Sequence, residues 1–441
     1  MRFSFKGKQG GSHPDENKER TANLPIVEAE VPRILVFPTT MHIGAPANPV
    51  VEVGDKVKIG TVLAEAAGKI SAAIHSSVSG EVVAIEKRQT VNGLADCIVV
   101  QNNQKDEKDA PIINFDQKLT KEFILDAVRK AGIVGMGGAA FPTSVKLDSP
   151  PGSTIDTLII NGAECESYST SDHRVMIESS DEIIQGIQVL RHLFPHLKSI
   201  VIGIEDNKPE AIDALEIASS EYADISIHSL RTRYPEGSEK NLIQNITGRE
   251  VPPGELPVAV HCVVLNTSTT LAIYRATTFG EPLYQRVVSV SGTPVVEPKN
   301  LLVRIGTPVE FLIEQCGGFN TLPGKLLSGG PMMGKTLADG SEPIIKGTTS
   351  ITALTPEEAE VGDSSDCIMC SECVNVCPVS LQPILISDAF ERGNIEKAKK
   401  LGAMDCIECG NCSYICPSKI SLLENIRSAK ALIKAEQNKA G

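Results

Sequence analysis

At 441 residues the chain is long enough for about two to four domains, and its 41% hydrophobic residues can fill their cores, which excludes a disordered polypeptide. A formal net charge of −13, 4% aromatic residues and no Trp exclude a nucleic-acid binder, which needs a basic surface and stacking rings. No apolar run reaches the roughly 18 residues a spanning helix requires, and Met1-Arg2-Phe3-Ser4-Phe5-Lys6 has no apolar stretch behind it, so neither a membrane span nor a secretory signal is expected and the protein reads as intracellular.

Residues 1–30 are polar and irregular. From about 31 to 101, short apolar runs alternate with Gly, Pro and Asn; the runs 34–37, 57–59, 62–64, 70–74 and 82–85 predict strands of a small β domain. Val53-Gly54-Asp55-Lys56-Val57-Lys58-Ile59-Gly60, followed by Ser77-Val78-Ser79-Gly80-Glu81-Val82, resembles the half-repeats of biotinyl and lipoyl barrel sandwiches. The stretch Gly68-Lys69-Ile70-Ser71 lacks the Met pair that flanks the modified lysine of those carriers. The barrel is therefore read as structural, with a lipoyl-type carrier as the alternative.

After a charged linker at 107–118, Thr120 caps a predicted helix over 120–131, with Phe123, Ile124, Ala127 and Val128 on one face. A glycine-rich loop follows. Strands at 157–160, 199–204 and 225–228 alternate with helices at 181–194 and 208–219, which predicts a parallel sheet covered by helices. Residues 286–340 return to short strands at 287–290, 301–303 and 326–327, and 346–364 read as a Thr-, Ser- and acid-rich linker. Helices are expected at 381–393, 394–401 and 421–437, the last with the stripe Leu422, Leu423, Ile426, Ala429 and Ile433 docked on the protein's own body. The expected architecture is multidomain α/β: a β barrel-sandwich at 1–110, a Rossmann-like α/β domain at 115–285, a small β-rich module at 286–345 and a C-terminal helical two-cluster domain at 355–441.

Eight of the 12 cysteines crowd into 367–416. Cys367, Cys370, Cys373 and Cys377-Pro378 repeat as Cys406, Cys409, Cys412 and Cys416-Pro417. A cubane [4Fe–4S] cluster needs four converging thiolates, and in two-cluster ferredoxins the fourth comes from the other motif. One cluster would then take Cys367, Cys370, Cys373 and Cys416, the other Cys406, Cys409, Cys412 and Cys377. Zinc also binds thiolates in fours, but zinc knuckles pair two Cys-x2-Cys hooks, whereas three cysteines in a row before a Cys-Pro make the ferredoxin pattern. Of the others, Cys97, Cys262 and Cys316 read as buried thiols, and Cys165, between Glu164 and Glu166, should have a raised pKa and no redox role. The eight dispersed His show no ligand spacing.

The glycine loop runs Gly132-Ile133-Val134-Gly135-Met136-Gly137-Gly138-Ala139-Ala140-Phe141, with Lys146 beyond it. It follows a helix, so it is not the Rossmann fingerprint, yet its free amides suit a phosphate that Lys146 would neutralise. A tight turn with a solvated lysine is the plainer reading. Asn161-Gly162-Ala163-Glu164-Cys165-Glu166-Ser167 lies at a strand's C-terminal end, where α/β sheets bind ligands. Tyr234-Pro235-Glu236-Gly237-Ser238-Glu239 and Asn266-Thr267-Ser268-Thr269 also follow strands.

In this order the elements resemble the C subunits of the Rnf complex, the membrane-bound, ion-pumping ferredoxin:NAD+ oxidoreductase, over nearly the whole chain. The central part is similar to the flavin-carrying subunit of bacterial complex I. The resemblance implies that Gly135, Gly137, Lys146, Asn161, Glu164, Tyr234, Gly237, Asn266 and Thr269 line FMN. Gly138, Ala139, Phe141, Glu166 and Glu239 would lie near NAD(H), Phe141 stacking on a ring and the glutamates bonding sugar or amide groups, with Glu166 and Phe141 as the catalytic pair. It further implies a β-grasp-like module at 286–345 and two [4Fe–4S] clusters. Partners would be the other subunits, membrane-embedded and iron–sulfur, with ferredoxin reached indirectly and the chain peripheral on the cytoplasmic side of the membrane. Three positions depart: Ala163 stands where the complex I subunit has Asp, Leu265 replaces one Asn of an Asn pair, and Ser167 stands where relatives usually have Pro. A cobalamin reductase built from the same parts, which carries its clusters in mid-chain, and an electron-wire adaptor with a vestigial nucleotide site are the competing readings.

Overall fold

A computed structural model describes residues 10–148, 150 and 152–440; the segment Met1 to Lys6 weighed above as a signal lies outside them. Among the described residues four β-sheets and their helices build the body. The barrel consists of a four-stranded sheet, ordered Ile34–Pro38, Gly93–Asn102, Gly80–Thr90 and Lys56–Val57, against a three-stranded one of Asn48–Pro49, Val62–Glu65 and Ile74–His75. The strand expected at 70–74 is only Ile74–His75. Upstream of it the chain bends to let Gly44, at φ +106°, lie against the Ile70 carbonyl, where a Cβ would come within 2.0 Å.

The predicted α/β domain forms around a parallel sheet ordered Ile225–Leu230, Ser199–Glu205, Thr157–Gly162 and Cys262–Asn266. In chain order this is 3-2-1-4, so the connections reverse direction between Thr157–Gly162 and Cys262–Asn266 and open a crevice at their C-terminal ends. Ile159, Ile160, Ile202, Val263 and Val264 run nearly uninterrupted because both faces are covered. The helix Lys121–Lys130 is capped by Thr120, whose hydroxyl accepts from the Phe123 amide. One apolar core runs from Phe37, Leu63 and Ile74 of the barrel through Ile133 and Val134 to Leu158, Ile160 and Ile187. The glycine loop therefore springs from the seam between barrel and α/β domain.

The third module is larger than its sequence signals. Six strands form a mixed sheet, ordered Ile26–Glu28, Lys299–Arg304, Gln285–Gly292, Ser350–Leu354, Lys325–Ser328 and Lys335–Thr336. Two expectations fail here. Ser350–Leu354 is a fully buried inner strand rather than linker, its Thr352 hydroxyl satisfied by the Gly329 carbonyl at 2.9 Å. Ile26–Glu28 pairs with Lys299–Arg304 instead of joining the barrel.

Downstream, the helices Pro383–Glu391, Ile395–Lys400 and Leu422–Ala440 pack through Ile386, Ala389, Ala398, Ile426, Ala429 and Ile433. The C-terminal helix thus docks on the chain's own two-cluster domain.

Candidate functional site

The glycine loop closes on itself before it meets anything else. The Gly135 amide donates to the Phe141 carbonyl at 2.8 Å and the Ala140 amide to the Gly135 carbonyl at 3.1 Å. The Met136 amide donates to the Thr269 hydroxyl at 2.9 Å, and Arg286, buried beneath, donates to the Met136 carbonyl at 3.1 Å. What remains outward is the lip Gly137-Gly138-Ala139, all three exposed. Gly138 sits at φ +107°, and a Cβ there would meet nothing within 4 Å. The lip is therefore backbone facing open space, the arrangement that lets a phosphate or ring approach closely.

Around the lip the expected residues assemble, several with side chains already engaged. Asn266 caps the helix Thr267–Phe279 through the Thr269 amide and donates to Asp172 at 2.6 Å. Its side chain lies 3.3 Å from where a Cβ on Gly137 would stand. Asn161 accepts from the Ala163 amide at 3.1 Å and donates to the Gly237 carbonyl at 2.9 Å. Thr269 is fully buried, so it anchors the loop rather than facing the cleft. Lys146 and Glu239 form an ion pair that is part exposed on both sides. Phe141 is half-buried at the loop's far end.

The two glutamates diverge. Glu164 turns inward, accepting from the Asp172 amide at 2.7 Å and the His173 amide at 3.1 Å, where it caps the helix Ser171–Glu178 with negative charge. Glu166 accepts from the Met333 amide at 2.7 Å and the Met332 amide at 3.3 Å. Burial pushes its pKa up to about 7, against the lowering effect of those amides. Burial likewise raises Asp172, helped by the charge of Glu164. Cys165 is pushed up to about 12; burial is the main cause, and of the acids Glu205 weighs more than Glu166.

Sequence reasoning missed what lies behind this segment. Two buried lysines hold it: Lys208 donates to the Ala163 carbonyl at 2.7 Å, and Lys18 to the Glu164 carbonyl and, at 2.9 Å, the Ser169 carbonyl. Asp172, Arg286 and the Met332–Met333 turn were missed as well. The local signal that could have found that turn is the run Gly329-Gly330-Pro331.

The thiols group in the crossed sense: Cys373 feels the charges of Cys367, Cys370 and Cys416, and Cys412 those of Cys377, Cys406 and Cys409, although among the described residues no three metal-binding side chains converge closely enough to hold an ion. The second set lines a small cavity with Leu381 and Ile426. The repeat is geometric too. Met369 and Ser371 take φ of 57° and 63°, and their counterparts Glu408 and Gly410 take 59° and 83°. This wraps each loop so that an amide points back at its first sulfur, Met369 to Cys367 and Glu408 to Cys406, both at 3.4 Å. Amides aimed at thiolates are what a cluster site needs, so the donor set fits. Burial pushes Cys409 and Cys412 up to about 11 and about 12; iron binding would displace those protons. Cys367 and Cys370 are exposed, whereas Cys409 and Cys412 are buried.

Tyr234, expected beside a flavin, is buried, and its hydroxyl donates to the Cys409 carbonyl at 2.8 Å. The segment Tyr234 to Gly237 thus bonds both Asn161 at the sheet's end and the backbone of the second quartet. Among the described residues no helix is long and apolar enough to cross a membrane.

Family models match in four blocks: the RnfC barrel sandwich hybrid domain at 6–105, the Nuo51 FMN-binding domain at 128–275, the SLBB domain at 287–336 and the 4Fe-4S dicluster domain at 359–417. The C subunit of the Na(+)-translocating ferredoxin:NAD(+) oxidoreductase complex of Acetobacterium woodii is 42% identical over 434 residues, covering 98% of each chain. Its proton-translocating counterpart from Clostridium ljungdahlii is 43% identical over 399 residues, covering 90% of this chain and 87% of that one. The C subunit of the ion-translocating oxidoreductase complex of Rhodobacter capsulatus is 40% identical over 436 residues, covering 98% and 84%. Among solved structures, an NAD+-reducing [NiFe]-hydrogenase in the air-oxidized state shares the fold over 64% of this chain and 53% of its own, with a TM-score of 0.50 at 18% identity.

Proposed function

The chain belongs to the family of C subunits of ion-translocating ferredoxin:NAD(+) oxidoreductase complexes, and from that premise we propose how its own residues divide the work. It is an oxidoreductase subunit that holds FMN and two [4Fe–4S] clusters, with NAD(H) as substrate. Nicotinamide exchanges electrons in pairs and clusters exchange them singly; bound FMN supplies the chemistry that reconciles the two.

The observation that carries the reading is the segment from Tyr234 to Gly237. Its Gly237 carbonyl holds Asn161 at the sheet's end, while its Tyr234 hydroxyl holds the backbone of the cluster ligand Cys409. In this reading the amides of Gly137, Gly138 and Ala139 take the phosphate, and Lys146, steered by Glu239, offsets its charge. Phe141 stacks against the nicotinamide side, and Glu166 and Glu239 accept hydrogen bonds from its sugar or amide. No Arg stands beside the acid segment to receive a 2′-phosphate, which favours NAD(H) over NADP(H).

Electrons arrive from reduced ferredoxin through the other subunits, membrane-embedded and iron–sulfur, and leave on NAD+. Plant-type ferredoxins lie near about −400 mV, so that direction runs downhill. The chain sits peripherally on the cytoplasmic face; at −13 it is attached by proteins, because anionic lipid repels it. The parallel sheet is read as Rossmann-like and the six-stranded module as β-grasp-like.

Gly137→Val tests the flavin assignment. The added side chain presses on Asn266 and projects into the crevice, an overpacking of about 1–3 kcal/mol, or roughly tenfold or more in FMN retention. FMN content and NADH-dependent dye reduction should fall together; wild-type values of both would refute the assignment.

A further inference from the structure

The N-terminal residues 10–18 run as an irregular arm, turning at 19–21, whose contacts gather at the inner thiol quartet and the crevice. Gly10 lies flat on Cys377: a Cβ there would stand 2.3 Å from the Cys377 carbonyl oxygen. The Gly11 amide donates to the Val376 carbonyl at 2.8 Å. Ser12 exchanges two backbone hydrogen bonds with Tyr234, both 2.9 Å, and its buried hydroxyl donates to Asn411 at 2.6 Å. Asn411, two residues past Cys409 and one before Cys412, is itself fully buried and donates back to the Tyr234 carbonyl at 3.2 Å.

Further along, the Asp15 carbonyl accepts from Ser167 at 2.6 Å, the Glu16 carbonyl from the Tyr168 amide at 2.8 Å, and Lys18 holds Glu164 and Ser169. The Ser167 hydroxyl is spent on the arm. One stretch of chain thus fixes a ligand of the quartet, the loop carrying two others, the tyrosine between quartet and crevice, and the acid segment of the crevice.

We propose that this arm is a positioning element for electron transfer: it clamps the Cys377, Cys406, Cys409 and Cys412 quartet onto Tyr234 and makes the cluster held there the one adjoining the flavin. The Cys367, Cys370, Cys373 and Cys416 quartet then faces the partner subunits, consistent with its exposed Cys367 and Cys370 and the exposed Ile368 and Met369 between them. Transfer through a protein weakens steeply with separation, and the polar neighbours of a ligand set both its orientation and the cluster's potential. Ser12 acts through Asn411 and Tyr234, without touching a cofactor, so it is a positioning residue. The inference rests on the reading that flavin and clusters are carried here.

The test uses the full holoprotein and Ser12→Ala, with Ser12→Thr as the variant that restores the hydroxyl. Iron and flavin content should stay at wild type. In an EPR-monitored dithionite titration, one cluster's midpoint should shift in Ser12→Ala and the other's should not. Reoxidation of the reduced clusters by NAD+ should slow about tenfold. Ser12→Thr should restore both. Gly10→Ala, which collides with Cys377, should lose half the iron, and the surviving signal should be the one whose midpoint Ser12→Ala leaves unmoved. Two unshifted midpoints with a wild-type reoxidation rate would overturn the proposal, as would loss of the other cluster in Gly10→Ala. A wild-type chain lacking flavin would instead sink the functional reading, while the two midpoints would still score the arm.

Discussion

Glu166 is a carboxyl held among backbone amides with its pKa raised to about 7 by burial, against about 4.3 for an unfolded glutamate. Between those values the folded chain keeps a proton that the unfolded chain has released, so stability falls as pH rises through that window, by up to ~3 kcal/mol. In Glu166→Gln the thermal midpoint should decline less between about pH 5 and about pH 8 than in wild type. Parallel declines would mean that the carboxyl ionises as an exposed one does. At this scale the sequence revealed residue types better than roles. The two runs of eight cysteines were recognisable because the spacing within each run is local chemistry, whereas the crossing of the fourth ligand between runs came from the ferredoxin pattern. Glu164, Asn161 and Asn266 were recognisable as polar groups at strand ends. That Glu164 caps a helix, or that Thr269 holds the loop from behind, depends on partners placed by the fold.

Among elements, the α/β alternation was legible because each strand is a continuous apolar run and each helix carries a 3.6-residue stripe. The strand Ser350–Leu354 was not, since Thr348, Thr349, Ser350 and Thr352 disguise it as linker while their burial depends on strands far along the chain. Its neighbour gives a sharp test. Gly292, at φ +118°, lies against that strand so closely that a Cβ would come within 1.9 Å of the Ala353 carbonyl. Gly292→Ala should therefore destabilise the module by about 2 kcal/mol or more, seen as a lowered thermal midpoint. An unchanged midpoint would contradict the pairing. The barrel was foreseen as a separate domain, yet it shares one core with the α/β domain. Lys346 ties that seam by donating to the Ala73 and Gly132 carbonyls, both at 2.6 Å.

In the whole molecule, the α/β sheet's switch point carries the site, the six-stranded module reaches it through the Met332–Met333 turn, and the two-cluster domain is seated on Tyr234. These joints are long-range: the Ser12–Asn411 bond spans 399 positions. No local pattern encodes such a contact, which is why the sequence yielded cofactors and domain order but not how the parts are clamped. In the proposed function the chain itself turns single electrons held on clusters into the pair carried by NADH. The decisive experiment reduces the anaerobically purified protein with dithionite, removes the excess, and mixes it with NAD+ while cluster EPR and NADH absorbance are followed. Both cluster signals should disappear as NADH appears, one NADH for every two electrons given up by the clusters and the co-reduced flavin together. Clusters that stay reduced in the presence of NAD+, in protein whose iron and flavin are complete, would contradict it.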